Sequence, residues 1–333
     1  MIRLLHTTIF TVLLVLLLCP YSAFAQSYGN EWINFNQRYY SFPVAQTGLK
    51  RINYDDLNNA GIPVGSFSHQ QIQLFGRQKE IPIWVETNGD GTFNSGDYIL
   101  FYAERNDGWL DSMLYLDPSK AANPSVSLFN DTIYYFFTWN NQVNNLRFTD
   151  ELSADYANYT PVNYVWDKYE QGYQNSYLEG ERLQSLLSSA FYVAGEGYGL
   201  AQVNGINGYN LDLTAQTPYP YTASGSPAAR FKGLVTTTAS SPVAQSGDPN
   251  HHTQWRINGQ LVYDQTGFGC IQFKADLPFS TAGMTHTTDL DWTIVGDLPV
   301  ETMYQSLTYW SIDYPRIPNF NGATRFKIRV ENG

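Results

Sequence analysis

A short loop rich in oxygen-bearing side chains is the first place in this chain where chemistry could occur. It begins with Asn88-Gly89-Asp90-Gly91 and continues through Asn94 to Asp97. Carboxylates and amides are calcium ligands, and an EF-hand loop needs them at positions 1, 3 and 5, with Gly at 6 and Glu at 12. Counting from Asn88, Phe93 takes the glycine position and Ile99 the glutamate position. We therefore predict a solvated turn whose polar side chains bond their own backbone, and no metal site.

The cysteine and histidine residues do not form a pattern typical of catalysis or metal binding. Cysteine catalysis needs a histidine that withdraws the thiol proton. Cys270 lies in a strand-like run, residues 268–273, where we expect its side chain to point into a core. His251 and His252 are neighbours, and neighbours on a strand face opposite sides of a sheet. The sequence thus predicts no catalytic residue, no metal ligand and no cofactor.

Carboxylates are too numerous for a glycosidase pair to be recognised from the sequence. Glu179, Glu181 and Glu196 are candidates for such a pair. The distance between two carboxylates defines this chemistry, and the sequence does not give it. Surface solvation is the default interpretation.

A glycine-rich run, Gly195-x-Gly197-x-Gly199, invites comparison with nucleotide-binding loops. A dinucleotide site needs G-x-G-x-x-G between a strand and a helix. Here residues 201–205 look like another strand. The run therefore predicts close packing of backbone and no phosphate binding.

An aromatic segment at residues 164–180 has two interpretations. It predicts a strand pair with a tyrosine-rich outer face. Alternatively, Tyr164, Trp166, Tyr169 and Tyr173 form a platform that stacks on sugar rings or on peptide, as aromatic side chains on a rigid sheet can do.

The elements that must position these residues begin after a secretory signal peptide. Residues 1–25 contain one basic residue, Arg3, an apolar run, and Ala23-Phe24-Ala25 as a cleavage site. Leu18 before Cys19 argues against a lipoprotein signal. No later stretch reaches the ~20 apolar residues of a membrane helix. We expect an exported chain, in the periplasm or at the outer-membrane cell surface.

Composition favours a secreted β protein. Aromatic residues make up 16% of the chain and charged residues only 15%, against about 25% charged in typical domains. A net charge of −11 argues against nucleic acid as a partner. Cys270 is alone after cleavage, so no disulfide can form within the mature chain.

Short β-rich runs separated by turn signals predict an all-β fold of two consecutive β-sandwich domains. We assign residues 26–190 to an N-terminal β domain and 191–333 to a jelly-roll-like sandwich. A short helix is expected at 55–60 and another at 181–189. The predicted strands include 39–45, 49–54, 71–75, 81–86, 98–102, 133–139, 231–237, 253–257, 261–264, 270–275, 289–295, 306–314 and 326–330. The last of these runs into a turn signal with no strand after it. We therefore expect the second domain to be incomplete at its C-terminus and the chain to be the start of a longer protein.

An ordered set of short motifs resembles the amino-terminal region of PorU-type proteins. It consists of Tyr28-Gly29-Asn30-Glu31-Trp32-Ile33, Gly48-Leu49-x-Arg51-Ile52, Asn88-Gly89-Asp90-Gly91-x-Phe93, Gly96-Asp97-Tyr98-Ile99-x-Phe101-Tyr102, Gly195-Glu196-Gly197 and Tyr314-Pro315-Arg316. PorU-type proteins are gingipain-related cysteine peptidases with a sortase-like role in the Bacteroidetes type IX secretion system.

The resemblance implies a division of labour within a longer protein. The family's catalytic His and Cys lie in a downstream caspase-like domain, and no residue here matches them. The chain would then hold non-catalytic β domains of an enzyme that trims carboxy-terminal secretion signals. Its partners would be secretion-system components or substrate proteins at the outer membrane. The alternative from the aromatic segment is a carbohydrate-binding or adhesive cell-surface protein with a glycan as partner.

Overall fold

The computed structural model describes residues 29–149, 156–158, 160–181, 190–238 and 247–322. Its regular structure is nearly all antiparallel β-sheet, which confirms the all-β prediction. The chain divides into two compact units. Among the described residues, the first comprises residues 29–43, 48–103 and 134–149, and the second comprises residues 44–47, 104–133 and the described part of 156–322. The predicted signal peptide, most of the predicted helix at 181–189 and the last predicted strand lie outside the described residues.

The first unit is built from two sheets. Its elements are β1 (Tyr40–Val44), β2 (Gly48–Asn53), α1 (Tyr54–Asn59), β3 (Ile72–Gly76), β4 (Lys79–Ile81), β5 (Ile83–Glu86), β6 (Tyr98–Ala103) and β7 (Ile133–Trp139). One sheet has the order β1-β7-β3-β4 and the other β2-β6-β5. Phe42 and Tyr135 of the first sheet place their rings 5.7 and 6.2 Å from the ring of Phe101 in the second. The two sheets therefore pack face to face through aromatic side chains.

The strand predicted at 81–86 is split in two by a proline. Ile81 ends β4 and pairs with β3, whereas Ile83 begins β5 and pairs with β6. Pro82 stands between them, and proline has no N–H group to donate to a sheet. The chain passes from one sheet to the other at this residue.

Two residues with positive φ angles form the turn between β3 and β4. Gly76 is the last residue of β3, and Arg77 and Gln78 form the turn with φ angles of 49° and 65°. A Cβ atom at Gly76 would lie only 2.1 Å from the ring of Tyr135. This glycine is needed for close packing rather than for the turn.

The second unit contains a β-sandwich and a small separate sheet. Its strands are β8 (Val165–Gly172), β9 (Ser176–Glu179), β10 (Glu196–Gly199), β11 (Val203–Asn204), β12 (Tyr209–Gln216), β13 (Ala229–Thr238), β14 (His251–Ile257), β15 (Gln260–Gly267), β16 (Gln272–Phe279), β17 (Thr287–Ile294) and β18 (Tyr304–Arg316). The two large sheets have the orders β8-β18-β13-β16 and β12-β17-β14-β15, and β11 adds to one end of β18. Strands β9 and β10 pair with each other.

These eight strands have the connectivity of a jelly roll. If β8 is numbered 1 and β12 to β18 are numbered 2 to 8, the strand orders of the two sheets are 1-8-3-6 and 2-7-4-5. This is the arrangement of two interleaved Greek keys. The first strand comes from the aromatic segment before the predicted boundary at 190. The eight strands of this jelly roll lie between residues 165 and 316.

The jelly-roll core lies between its two sheets and is dominated by tryptophan. Trp255 and Trp292 of one sheet face Trp310 of the other, and all three are almost fully buried. Burying such large side chains removes much apolar surface from water and stabilises the sandwich. Among the described residues, no helix combines the length and apolar character needed to cross a membrane.

Candidate functional site

The loop between β5 and β6 holds its carboxylates in place with its own polar groups. Asp97 is 1% exposed, and its side chain accepts hydrogen bonds from the Asn88 amide at 2.6 Å and from the Asn94 backbone N–H at 2.7 Å. Asp90 accepts from the Thr92 N–H at 2.7 Å and from the Asn94 side chain at 2.9 Å. Together these bonds lower the pKa of Asp90 below its ordinary value. The loop is a structural turn closed on a buried aspartate.

Cys270 is a protonated thiol outside regular structure. It lies in the bend before β16, not within a strand as predicted, because β16 begins at Gln272. Its Sγ donates to the carbonyl oxygen of Thr237 at 3.2 Å. Burial, and then the charge of Glu181, raises the pKa of Cys270 to about 12. Because the thiolate is the nucleophile, these surroundings oppose cysteine catalysis.

His251 and His252 begin β14 and have opposite electrostatic surroundings. His251 faces the interior, and burial lowers its pKa to about 4. His252 lies between two carboxylates, with Nε2 2.6 Å from Asp264 and Nδ1 2.9 Å from Asp297. Burial alone would lower the pKa of His252, but the two carboxylates outweigh it and raise the pKa. Within the described ranges, no group of three or more His, Cys, Asp or Glu residues is placed to hold a metal ion.

The glycine-rich run packs tightly against neighbouring side chains, as the sequence predicted. An added Cβ would lie 2.5 Å from the Thr236 side chain at Gly195, and 2.7 Å from Ser306 Oγ at Gly199. Glu196 accepts a hydrogen bond from the Tyr177 hydroxyl at 2.6 Å. Glu196 stands opposite Glu179 in the β9–β10 ladder. The candidate carboxylates thus belong to a small structural hairpin.

The four aromatic residues of the proposed platform do not share one surface. Tyr169 places its ring 5.3 Å from that of Trp310, and the Tyr173 hydroxyl accepts a hydrogen bond from the Trp310 indole. Both tyrosines pack against the jelly-roll core. Trp166 lies three residues from Tyr169 on the same strand and therefore points to the opposite face. Tyr164 stacks on Tyr221 with a centroid distance of 5.4 Å.

The second unit contains a cleft of about 470 Å³. Its floor is the outer face of the β18-β13-β16 sheet, with Lys232, Leu234, Lys274 and Tyr309. Lys232 is exposed because Phe231 and Gly233, its neighbours on β13, face the core. The walls come from residues 108–128 and from Gly197 and Tyr198.

Hydrogen bonds hold the wall of this cleft against the sheet. The Asn123 amide donates to the carbonyl oxygen of Thr308 at 2.7 Å. The Gln272 amide donates to the carbonyl oxygen of Lys120 at 2.8 Å, and the Lys274 ammonium donates to that of Ser119. These bonds fix the loop, so the cleft is preformed.

Two lysines, Lys232 and Lys274, and one carboxylate, Asp276, lie on the cleft floor. Lys232 and Lys274 lie on adjacent strands, diagonal to each other in the ladder. Asp276 also lines the cleft, but it is engaged by Arg230 through bonds of 2.5 and 3.0 Å. Lys232 lies directly opposite Asp276 and attracts its carboxylate, but among the described residues no carboxylate oxygen lies within 4.0 Å of the Lys232 ammonium.

Sequence reasoning missed this cleft. The alternation of Arg230 and Lys232 with core residues, and of Lys274 and Asp276 on β16, indicated charged outer faces. The register that makes these two strands neighbours depends on the complete jelly roll, which short runs do not determine.

No protein-family model and no curated protein matches the chain. Among solved structures, dimeric latent PorU from Porphyromonas gingivalis aligns with 86% of this chain at 13% identity and a TM-score of 0.46. The chain spans 25% of that PorU chain. The CBM36-1 domain of a multidomain xylanase from the hindgut metagenome of Trinervitermes trinervoides aligns at 13% identity, covering 44% of this chain and 96% of its own, with a TM-score of 0.23. Wild-type BuGH86 in complex with neoagarooctaose aligns with 84% of this chain and 32% of its own at 9% identity and a TM-score of 0.23. At such identities and TM-scores these alignments carry no functional conclusion.

Proposed function

We propose that this chain is a non-catalytic β-sandwich region of a PorU-type cysteine peptidase of the type IX secretion system. In this proposal the chain is exported through its signal peptide and acts at the outer-membrane cell surface. Its β domains support or present a downstream catalytic domain to secretion-system components or substrate proteins.

The contact between two motifs of the family pattern carries the proposal. The Arg51 guanidinium carbon of the Gly48-Leu49-x-Arg51-Ile52 motif lies 3.9 Å from the ring centroid of Tyr98 in the Gly96-Asp97-Tyr98 motif. The two residues are on neighbouring strands β2 and β6. A cation above an aromatic ring stabilises such a pair. The motif residues thus cooperate as a structural unit, which is the role expected of a supporting domain.

The terminal motif has a similar structural role in the second unit. The Arg316 guanidinium and the Tyr314 hydroxyl both bind the Asp167 carboxylate, at 2.8 and 3.1 Å. Asp167 lies on β8, so these bonds join the last strand of the jelly roll to the first.

Activity assays and the reading frame beyond Gly333 test this proposal. We expect that frame to encode an α/β segment with a His-Gly and a later Cys. The longer protein should cleave peptides and keep that activity with Cys270→Ser, whereas the present chain alone should cleave none. A frame that stops within a few strands of Gly333, or loss of activity in a folded Cys270→Ser protein, would refute the proposal.

We also propose a second function, the binding of a carbohydrate, which the cleft in the second unit favours. Its volume lies within the roughly 300–1,000 Å³ of small-molecule sites, and apolar residues with a few polar groups line it. Calorimetric titration of the chain with cell-surface polysaccharides tests this function. Trp109→Ala removes an aromatic wall of the cleft and should weaken binding, whereas Trp166→Ala, outside the cleft, should leave it unchanged. Absence of saturable binding to any polysaccharide would eliminate the second function.

A further inference from the structure

We propose that the cleft binds an acidic sugar, with the carboxylate of a hexuronate residue placed against Lys232 and Lys274. This inference rests on the second proposed function, because it names the class of carbohydrate that the cleft would take. The Lys232 ammonium would supply the principal charge contact.

The charge distribution selects an anionic ligand. Lys232 lines the cleft and shares the carboxylate opposite it, Asp276, with Arg230, which takes both of the close bonds to that carboxylate. Lys274 lies diagonally across the ladder and faces the same cleft. A carboxylate between the two ammonium groups would gain charge-assisted hydrogen bonds.

The aromatic side chains of the cleft favour a ligand ring with an apolar face. Trp109 and Tyr198 are half-buried and line the cleft, and Tyr309 lies in the floor beside Leu234. A pyranose ring presents C–H groups on its face and hydroxyl groups at its rim. Its face would pack on an aromatic side chain. The hydroxyl groups would reach Asp111, which lines the wall and whose Oδ2 already orients the loop by accepting the Leu128 N–H at 2.6 Å.

The aromatic and charged groups lie on different sides of one preformed site. The floor is fixed by β-sheet pairing, and the wall is fixed by the Asn123 and Gln272 bonds. A rigid site loses little conformational freedom when the ligand enters. This arrangement favours a compact ring over an extended peptide, which would need a longer groove.

Calorimetric titration with four probes tests the inference. The probes are a glucuronate disaccharide, the corresponding neutral disaccharide, a short peptide with a free terminal carboxylate and the same peptide amidated. We expect saturable binding of the glucuronate disaccharide and at least ~10-fold weaker binding of the neutral one, because the neutral sugar lacks charge-assisted hydrogen bonds to the ammonium groups. Added salt should weaken the binding further because the contact is partly exposed.

Two matched variants locate the contact. Lys232→Gln should weaken glucuronate binding by about 3- to 10-fold, whereas Lys79→Gln, an equal charge change on exposed strand β4, should leave it unaltered. Circular dichroism and thermal unfolding must show that both variants are folded.

The possible failures have different meanings. Equal binding of the neutral and acidic disaccharides would overturn the acidic-sugar inference and leave carbohydrate binding intact. Equal loss in Lys232→Gln and Lys79→Gln would also overturn it. Binding of the free-carboxylate peptide without binding of either sugar would assign the cleft to a peptide, and the absence of any sugar binding would remove both the inference and the second function.

Discussion

At the scale of single residues, His252 should make the stability of the fold depend on pH. Its ring is held between Asp264 and Asp297, and these carboxylates raise its pKa above 6.5 although burial opposes them. A raised folded-state pKa means that the protonated ring stabilises the fold. This contribution is fully present below the unfolded-state pKa of 6.5, and it is lost as the pH rises through the higher folded-state value.

His252→Gln should therefore be more destabilising in mild acid than in base. We expect the difference in free energy of unfolding from wild type to be about 1 kcal/mol larger near pH 6 than near pH 9, as for half-exposed ion pairs. Urea unfolding at several pH values measures it. His251, whose pKa burial lowers to about 4, affects both proteins equally. His286→Gln, on an exposed residue beside Tyr219, serves as the control. A difference that grows with pH would contradict the predicted role of His252.

Cys270 should react slowly in the folded chain. Its pKa of about 12 leaves very little thiolate at neutral pH, and its Sγ donates to the Thr237 carbonyl oxygen. We expect iodoacetamide to modify the native chain at least ~100-fold more slowly than the urea-unfolded chain at the same pH. Mass spectrometry of the modified peptide measures both rates. Native modification at the unfolded rate would show that the thiol is accessible and ionised.

At the scale of elements, the loop between β5 and β6 depends on one buried carboxylate. Asp97→Ala removes the acceptor of two hydrogen bonds and leaves the Asn94 N–H without its partner. We expect the free energy of unfolding to fall by about 2–3 kcal/mol. The matched change Asp90→Ala affects an aspartate that is exposed in the same loop, so its cost in free energy of unfolding should be much smaller than that of Asp97→Ala. Chemical denaturation of both variants decides this point, and equal costs would mean that Asp97 has no special role.

Local patterns predicted the strands better than their partners. The alternation around Ile99 and Phe101 was sufficient to predict β6, and the apolar run at 133–139 matches β7. The split at Pro82 was readable in principle, since a proline inside a strand pattern removes a donor. Strand β8 was predicted as part of a separate strand pair, yet it pairs with β18, well over a hundred residues away in the chain. The contact between the rings of Tyr169 and Trp310 accompanies this long-range pairing. The spacing of apolar residues within one strand does not indicate such a contact.

The residues of the candidate cleft also could not be predicted from local sequence patterns. The aromatic segment attracted attention because its residues are close in sequence, but the period of two sends Tyr169 and Trp166 to opposite faces. The cleft instead combines Trp109, Lys232 and Lys274, which are distant in sequence. Only the jelly-roll register brings Lys232 and Lys274 together.

At the scale of the whole molecule, the two compact units should unfold in separable steps. Each unit has a core of its own: Phe101 is fully buried in the first, and Trp255 lies in the aromatic core of the second. Replacing a core side chain with a smaller apolar one lowers the stability of the unit that contains it. We expect Phe101→Leu and Trp255→Phe each to cost about 1–3 kcal/mol. That cost corresponds to a fall of several degrees in the midpoint of one transition.

Differential scanning calorimetry of wild type and both variants tests this independence. Phe101→Leu should lower one transition and Trp255→Phe the other, because the lost packing contacts lie within a single unit. The double variant should show both shifts added together, as expected for substitutions in two separate cores. A single transition that moves equally in both variants would mean that the chain unfolds as one cooperative body. In that case the two units would depend on each other for stability, and a ligand in the cleft of the second unit would stabilise the first as well.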